Sequence, residues 1–251
     1  MTSPRSDHSQ STVARRLPPV ATVNLALLVV LALASNHDSG HDAVQTHGFL
    51  KWVVDFYLAF LLPIIVFIMS AGALRDELRP DSVDYIFTRP VPRPAFILGK
   101  FLAQVACFQF EYLLAFIALL GVGLYQHMPD LFALAPRLLL AQFLLVTVFS
   151  AFGFLFGMLT SRYVVAGLTY GLIVEIGVGQ IPTQLNRFSM IHQARMMFPA
   201  VVLPMDTVVL PPAVSALTVT VILLGMTLFL LTATAIVFHL KELAGAQGKE
   251  P

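Results

Sequence analysis

Long uninterrupted apolar stretches limit what this 251-residue chain can fold into more than any other feature. The stretches cover Leu17 to Ala34, about Val53 to Leu74, about Phe96 to Leu124, Leu138 to Leu159, Tyr163 to Ile181, and Ala213 to Leu240. Each is long enough, at about 1.5 Å of rise per helical residue, to cross a hydrocarbon core of about 30 Å. None alternates with the period of a membrane β-strand. The third and sixth exceed the minimum, which implies tilt or protrusion into the headgroups. With 57% hydrophobic and 12% charged residues, a soluble domain of this size could not cover its own apolar surface. The expected fold is therefore an all-α polytopic membrane protein with six transmembrane helices. Its divisions are a short cytoplasmic tail at 1–16, a membrane domain at 17–240 and a cytoplasmic C-terminal tail at 241–251.

The first stretch has a second reading. Arg15-Arg16, an apolar run and Ala32-Leu33-Ala34 are also the pattern of a cleaved signal peptide. The later spans keep their orientation in either case. That orientation follows from the cations. With the N-terminus inside, eleven Lys/Arg residues fall on cytoplasmic segments, and four (Lys51, Arg137, Arg187 and Arg195) fall outside. Both termini are then cytoplasmic. The net charge of +1 gives no reason to expect nucleic acid as a partner. The single cysteine, Cys107, excludes an intrachain disulfide and is expected to fill space within its span.

The segment from Arg75 to Lys100 is too elaborate for a plain turn between spans. It holds five of the fifteen Lys/Arg residues and four of the fourteen acids. Asp76 and Glu77 lie just past the second span. Asp81 or Ser82 could cap a helix through Val83, Tyr85, Ile86 and Phe87, whose apolar stripe beside charge suits a cleft on a partner. Arg89-Pro90 and Arg93-Pro94 alternate charge with backbone stiffness. Gly99 would allow close packing where the third span enters, and Lys100 can snorkel to the headgroups. The plainer role for these cations is to set orientation and bind anionic lipid; the two roles can coexist.

Glu77-Leu78, Phe87-Thr-Arg-Pro-Val-Pro-Arg93 and Ile97-Leu-Gly-Lys100 together resemble the first cytoplasmic loop of ABC-2 type permeases, the membrane subunits of one class of ABC transporter. Within that class the arrangement is similar to six-span permeases related to the nitrous-oxide-reductase maturation permease. The resemblance implies a type V exporter-like transmembrane domain in a bacterial inner membrane. It also implies that the 75–100 loop couples to a cytoplasmic ATPase. Asp76, Glu77, Tyr85, Phe87, Arg89, Pro90, Arg93, Gly99 and Lys100 are the expected contact residues. Two ATPase copies and a second permease copy or paralogue would complete the assembly. One departure is the approach to the first span. Family members place an amphipathic helix there, whereas Pro18-Pro19 leaves at most a remnant near Gln10 to Leu17. The chain has no Gly-x-x-x-x-Gly-Lys-Ser/Thr loop, so no cofactor is expected in it; ATP and Mg would be bound by the partner subunit. The alternative function is a noncatalytic scaffold or sensor that binds another cytoplasmic partner through the same loop. An intramembrane enzyme is disfavoured, because no nucleophile–base pair or metal set is recognisable.

Glu111 lies eleven residues past Lys100, roughly 16 Å deep, and Glu175 sits at a similar depth beyond Arg162. A carboxyl group at that depth must be neutral, paired or wetted. Hydrogen bonds to Tyr112, Gln109, Tyr170 or Gln142 would make these residues structural; a place on a polar translocation path would make them functional. Gly153-x-x-x-Gly157 and Gly167-x-x-x-Gly171 permit close helix contact, within one chain or between two. Thr160-Ser161-Arg162 reads as a tight inner turn. The outer segment 182–212, rich in Pro and Met, is too apolar for an exposed loop, so the stretch from Phe188 to Val202 is expected in the interface or folded back beside span five. The resemblance implies that this region shapes an outer gate. His37, His41 and His47 form a solvated outer loop that could hold zinc or copper only transiently.

Overall fold

A computed structural model of the protein describes residues 51–77, 93–125, 131–160, 162–171, 189–198 and 215–247, with 76–77, 93–94 and 241–247 described by their backbone alone. A π-helical segment, Val53–Leu61, continues into α1, Leu62–Glu77. It is followed by α2 (Arg93–Tyr125), α3 (Leu131–Leu159), α4 (Tyr163–Tyr170), α5 (Met190–Arg195) and α6 (Ala216–Gln247). The described residues are helical throughout their regular structure. Among the described residues, four helical stretches are long and apolar enough to cross a membrane: Val53–Arg75, Ala95–Tyr125, Leu131–Leu159 and Ala216–Leu240. They coincide with the second, third, fourth and sixth expected spans. The first expected span lies outside the described residues. Of the fifth, only the beginning, through Gly171, is described, and Glu175 lies beyond it.

Two boundaries differ from the sequence reading. The fourth span starts at Leu131 rather than Leu138, with Pro136 inside the helix. Pro136 and Arg137 are both exposed, so the charge and the missing N–H lie where water or headgroups can reach them. The third span starts at Arg93, so Pro94 occupies the first turn, where its missing N–H breaks no helical bond. The region between helices is therefore 78–92, shorter than 75–100, and its interior is outside the described residues.

The π-helical turn has a local cause. Leu62 N–H donates to Tyr57 O, five residues back, and Pro63 follows with no N–H to give. A proline ring clashes with the carbonyl four residues earlier, and a widened turn relieves that clash.

The core is organised around α3. Of its most apolar stretch, 72% is buried, against 22% for α6. α3 packs most extensively against α1, then against α6 and α2. A Cβ at Gly153 would stand 2.7 Å from Phe67 O, and one at Gly157 only 2.6 Å from Ala71 O. The α1 and α3 backbones thus touch where glycine removes the side chain. The glycine pair read from sequence as a close-contact motif is therefore used inside the protomer. Gly167 meets the Phe67 ring, while a Cβ at Gly171 would meet nothing within 4 Å among the described residues. Phe152 links the rings of this region, with centroids 5.4 Å from Phe67, 4.6 Å from Phe156 and 4.3 Å from Tyr170. On α6, Leu217, Val221, Leu228 and Phe229 point outward, as expected for a span facing lipid. Cys107 is also exposed, on the same outward face of α2 as Phe110 and Leu114, so it does not fill core space as expected.

Candidate functional site

At the end of the bundle where the charged segment begins, Arg75 in the last turn of α1 donates from Nη1 to Thr160 O at 3.0 Å. Thr160 directly follows α3, where the helix leaves its last carbonyls without N–H partners, so a guanidinium there both hydrogen-bonds and complements the helix dipole. Arg162 N–H donates to Thr160 Oγ1 at 3.1 Å, closing the expected tight turn before α4. Gly72 faces the Tyr163 hydroxyl, which lies 3.5 Å from where a Cβ would stand. Of the expected coupling residues, Asp76, Glu77 and Arg93 lie on helical backbone flanking 78–92. Tyr85, Phe87, Arg89 and Pro90 fall outside the described residues. Lys100 is half-buried on α2. Gly99 is exposed and has nothing within 4 Å of its Cβ position among the described residues, so the close packing expected there occurs instead at Gly153 and Gly157.

Farther along the spans, Tyr57, Gln142 and the Tyr112 carbonyl form a buried hydrogen-bonded chain. Tyr57 Oη donates to Gln142 Oε1 at 2.9 Å, and Gln142 Nε2 donates to Tyr112 O at 2.8 Å. This chain ties the π-helical segment through α3 to α2. Gln109 Nε2 donates to Phe143 O at 2.9 Å and contacts Thr147 Oγ1 at 3.3 Å. Both glutamines offered by the sequence as partners for Glu111 are thus engaged elsewhere. Glu111 is half-buried and has no hydrogen bond or ion pair among the described residues, and the buried Tyr112 hydroxyl likewise lacks a hydrogen bond there. The polar packing exists, but it bypasses this carboxyl group. Glu175 lies outside the described residues.

At the opposite end, α5 packs onto the bundle. Ser189 Oγ accepts from His192 N–H at 3.0 Å and caps it. Met190, Ala194, Met197 and Phe198 join the apolar core. Arg195 Nη2 and Asp55 Oδ1 are 3.0 Å apart, pairing α5 with the π-helical segment. Both side chains are more than a third exposed, so water screens this pair. Burial, and then the charge of Arg195, hold the His192 imidazole below its usual range. The apolarity of the outer segment signalled that it docks. The pairing of residues 140 positions apart in sequence left no signal in the chain.

Between α1, α3, α4 and α5 lies a cavity of about 220 Å³, walled by Phe60, Phe67, Phe152, Leu168 and Tyr170 and roofed by Ile191. Its lining is almost wholly apolar. No group of three or more His, Cys, Asp or Glu side chains that could hold a metal occurs among the described residues. His37, His41 and His47 lie outside them.

Several apolar helices packed around one central span, with a charged segment between two of them, define a multi-pass membrane protein. Residues 14–181 match the family of ABC-2 family transporter proteins. The chain belongs to that family. The match spans more than half of the chain and takes in the 75–100 loop, the bound Arg75–Thr160 pair and both membrane carboxyls. Membership makes this chain the membrane-spanning permease subunit of an ABC transporter, a kind of subunit that generally pairs with an ABC ATPase. No curated protein matches the chain.

Proposed function

We propose that this permease has six spans, keeps both termini in the cytoplasm of a bacterial inner membrane, and exports its substrate as a dimer driven by two separate ATP-binding subunits. The observation that carries this reading is family membership over a region that includes the charged segment between α1 and α2. That segment has the charge density of a docking surface, and its first flank is fixed to the helical bundle through Arg75. Asp76, Glu77, Tyr85, Phe87, Arg89, Pro90, Arg93, Gly99 and Lys100 are the residues assigned to ATPase contact. ATP and Mg are bound by the partner, consistent with a sequence that carries no phosphate loop. The Arg89-Pro-Val-x-Arg93 and Leu98-Gly-Lys100 arrangement supports kinship with the nitrous-oxide-reductase maturation permease subgroup. The second permease copy is either identical or a paralogue.

Glu111 belongs to the translocation path in this reading. Its half-buried carboxyl group has no partner among the described residues, which favours a surface that is wetted or visited by substrate over a packing role. Glu175 is assigned to the same path by its depth alone.

The test is charge reversal in the loop. Glu77→Lys and Arg89→Glu, each expressed with the ATP-binding subunit, should lose co-purification of that subunit while remaining in the membrane fraction. Retained co-purification in both would reduce these residues to topological signals and remove the loop from the coupling surface.

A further inference from the structure

We propose that Arg75 is a positioning residue that makes α1, α3 and the α3–α4 turn move as one body, so that a push on the loop is taken up between α2 and α3. The proposal rests on the permease reading and adds to it where the motion occurs.

The two ends of the loop are held differently. At the first end, Arg75 donates to Thr160 O at 3.0 Å, one turn beyond the place where Gly157 sets the α3 backbone against Ala71. Gly153 repeats that contact at Phe67 and Ser70, and Gly167 of α4 rests on the Phe67 ring. Backbone packed on backbone has no rotamers through which to yield, and protein interiors transmit such displacements. A hydrogen bond from a charged donor then closes the end of the interface where the loop begins.

At the second end, α2 barely touches α1, although the loop joins them, and it leans on α3 instead. That contact is made by side chains. Near the loop, the Phe101 ring meets the Phe154 ring edge-on at 5.6 Å. Farther out, two glutamines reach the Phe143 and Tyr112 carbonyls. Rings can slide and side-chain amides can turn, so this interface has alternative arrangements that the glycine contacts lack. Packed helices that shift against each other do so through such contacts.

The experiment uses full-length protein with Cys107→Ser, co-purified with its ATP-binding subunit and placed in lipid nanodiscs. Spin labels are attached at Ala73→Cys with Leu168→Cys, or at Leu98→Cys with Leu168→Cys. Labelled protein is diluted with unlabelled protein so that intrachain distances are read. Between nucleotide-free and ATP-vanadate states, the 73–168 distance should stay constant and the 98–168 distance should shift. In Arg75→Ala the 73–168 distance should acquire an ATP-dependent shift; Arg75→Lys, which keeps one donor, should restore constancy. A 73–168 distance that moves with ATP in the parent protein would overturn the proposal, with no reliance on the variants. Constancy in Arg75→Ala would overturn the role of Arg75. A parent protein that brings down no ATP-binding subunit would instead defeat the permease reading, and the proposal with it.

Discussion

The inner half of the α1–α3 interface and the outer contact of α5 with the π-helical segment both hold helices together, but by opposed means. Inside, Gly153 and Gly157 bring backbone against backbone, and a Cβ would stand within 2.7 Å of a carbonyl oxygen at either position. At the other end, a six-residue helix and the turn after it are held by four core side chains, Met190, Ala194, Met197 and Phe198, and by an ion pair more than a third exposed. The first contact leaves no side-chain freedom to be lost and no water to compete. The second combines buried apolar side chains with an ion pair that water screens.

The sharpest way to break the comparison is to fill the inner interface. Gly157→Leu drives a branched side chain into the Ala71 backbone, which cannot rotate away. We expect a loss of about 3 kcal/mol or more, the upper range for overpacking, read as a collapse of the monodisperse fraction in mild detergent. A variant as monodisperse and heat-stable as the parent would show that the two backbones can separate freely.

Removing the link between the two regions should have a smaller effect. Gln142→Leu leaves the Tyr57 hydroxyl buried without its acceptor and Tyr112 O without its side-chain donor. The expected cost is about 1–3 kcal/mol, measured as a lower apparent unfolding temperature. Pairing it with Tyr57→Phe removes the orphaned hydroxyl and should recover part of that loss. Additive losses in the double variant would show that the two side chains do not act together.

The smallest effect belongs to the outer contact and is set by pH. His192 has its folded value lowered, so the undocked segment binds the proton more readily than the docked one. Docking stability from this group is therefore present above the ordinary histidine value of about 6.5 and is lost as pH falls below it toward the lowered value. A spin label at Met196→Cys, in Cys107→Ser protein, should become more mobile between pH 7 and pH 5. His192→Gln should flatten that response. An unchanged response in His192→Gln would assign it to another group.

Much of the architecture was legible in the chain because the bilayer enforces a length and a composition on every span. Four spans are where the apolar runs placed them, and the exposed face of α6 follows from its uniform apolarity. The boundary at Leu138 was misread because Pro136 and Arg137 interrupt the apolar run, whereas near a helix end the missing N–H and the charge can both be satisfied. The candidate site was less legible. Arg75 could be seen as a loop cation, but its acceptor is a backbone carbonyl 85 residues away, and carbonyls carry no sequence identity. Gln142 was named as a partner for Glu111 on grounds of depth. Depth does not fix the direction a side chain takes around a helix, and Gln142 serves Tyr57 and Tyr112 instead.

The sequence by itself determined that this chain crosses a membrane several times and that one charged segment between spans resembles the coupling loop of ABC-2 permeases. These properties are sums over residues, and transfer between water and hydrocarbon reads them without regard to neighbours. Only the tertiary structure decided that α3 is the central span, that the glycine pair serves α1 within the protomer, and that Asp55 meets Arg195 across the outer end. Those are choices among partners. In hydrocarbon every helix is equally apolar, so partners are chosen by shape and by the few hydrogen bonds that depth alone does not specify.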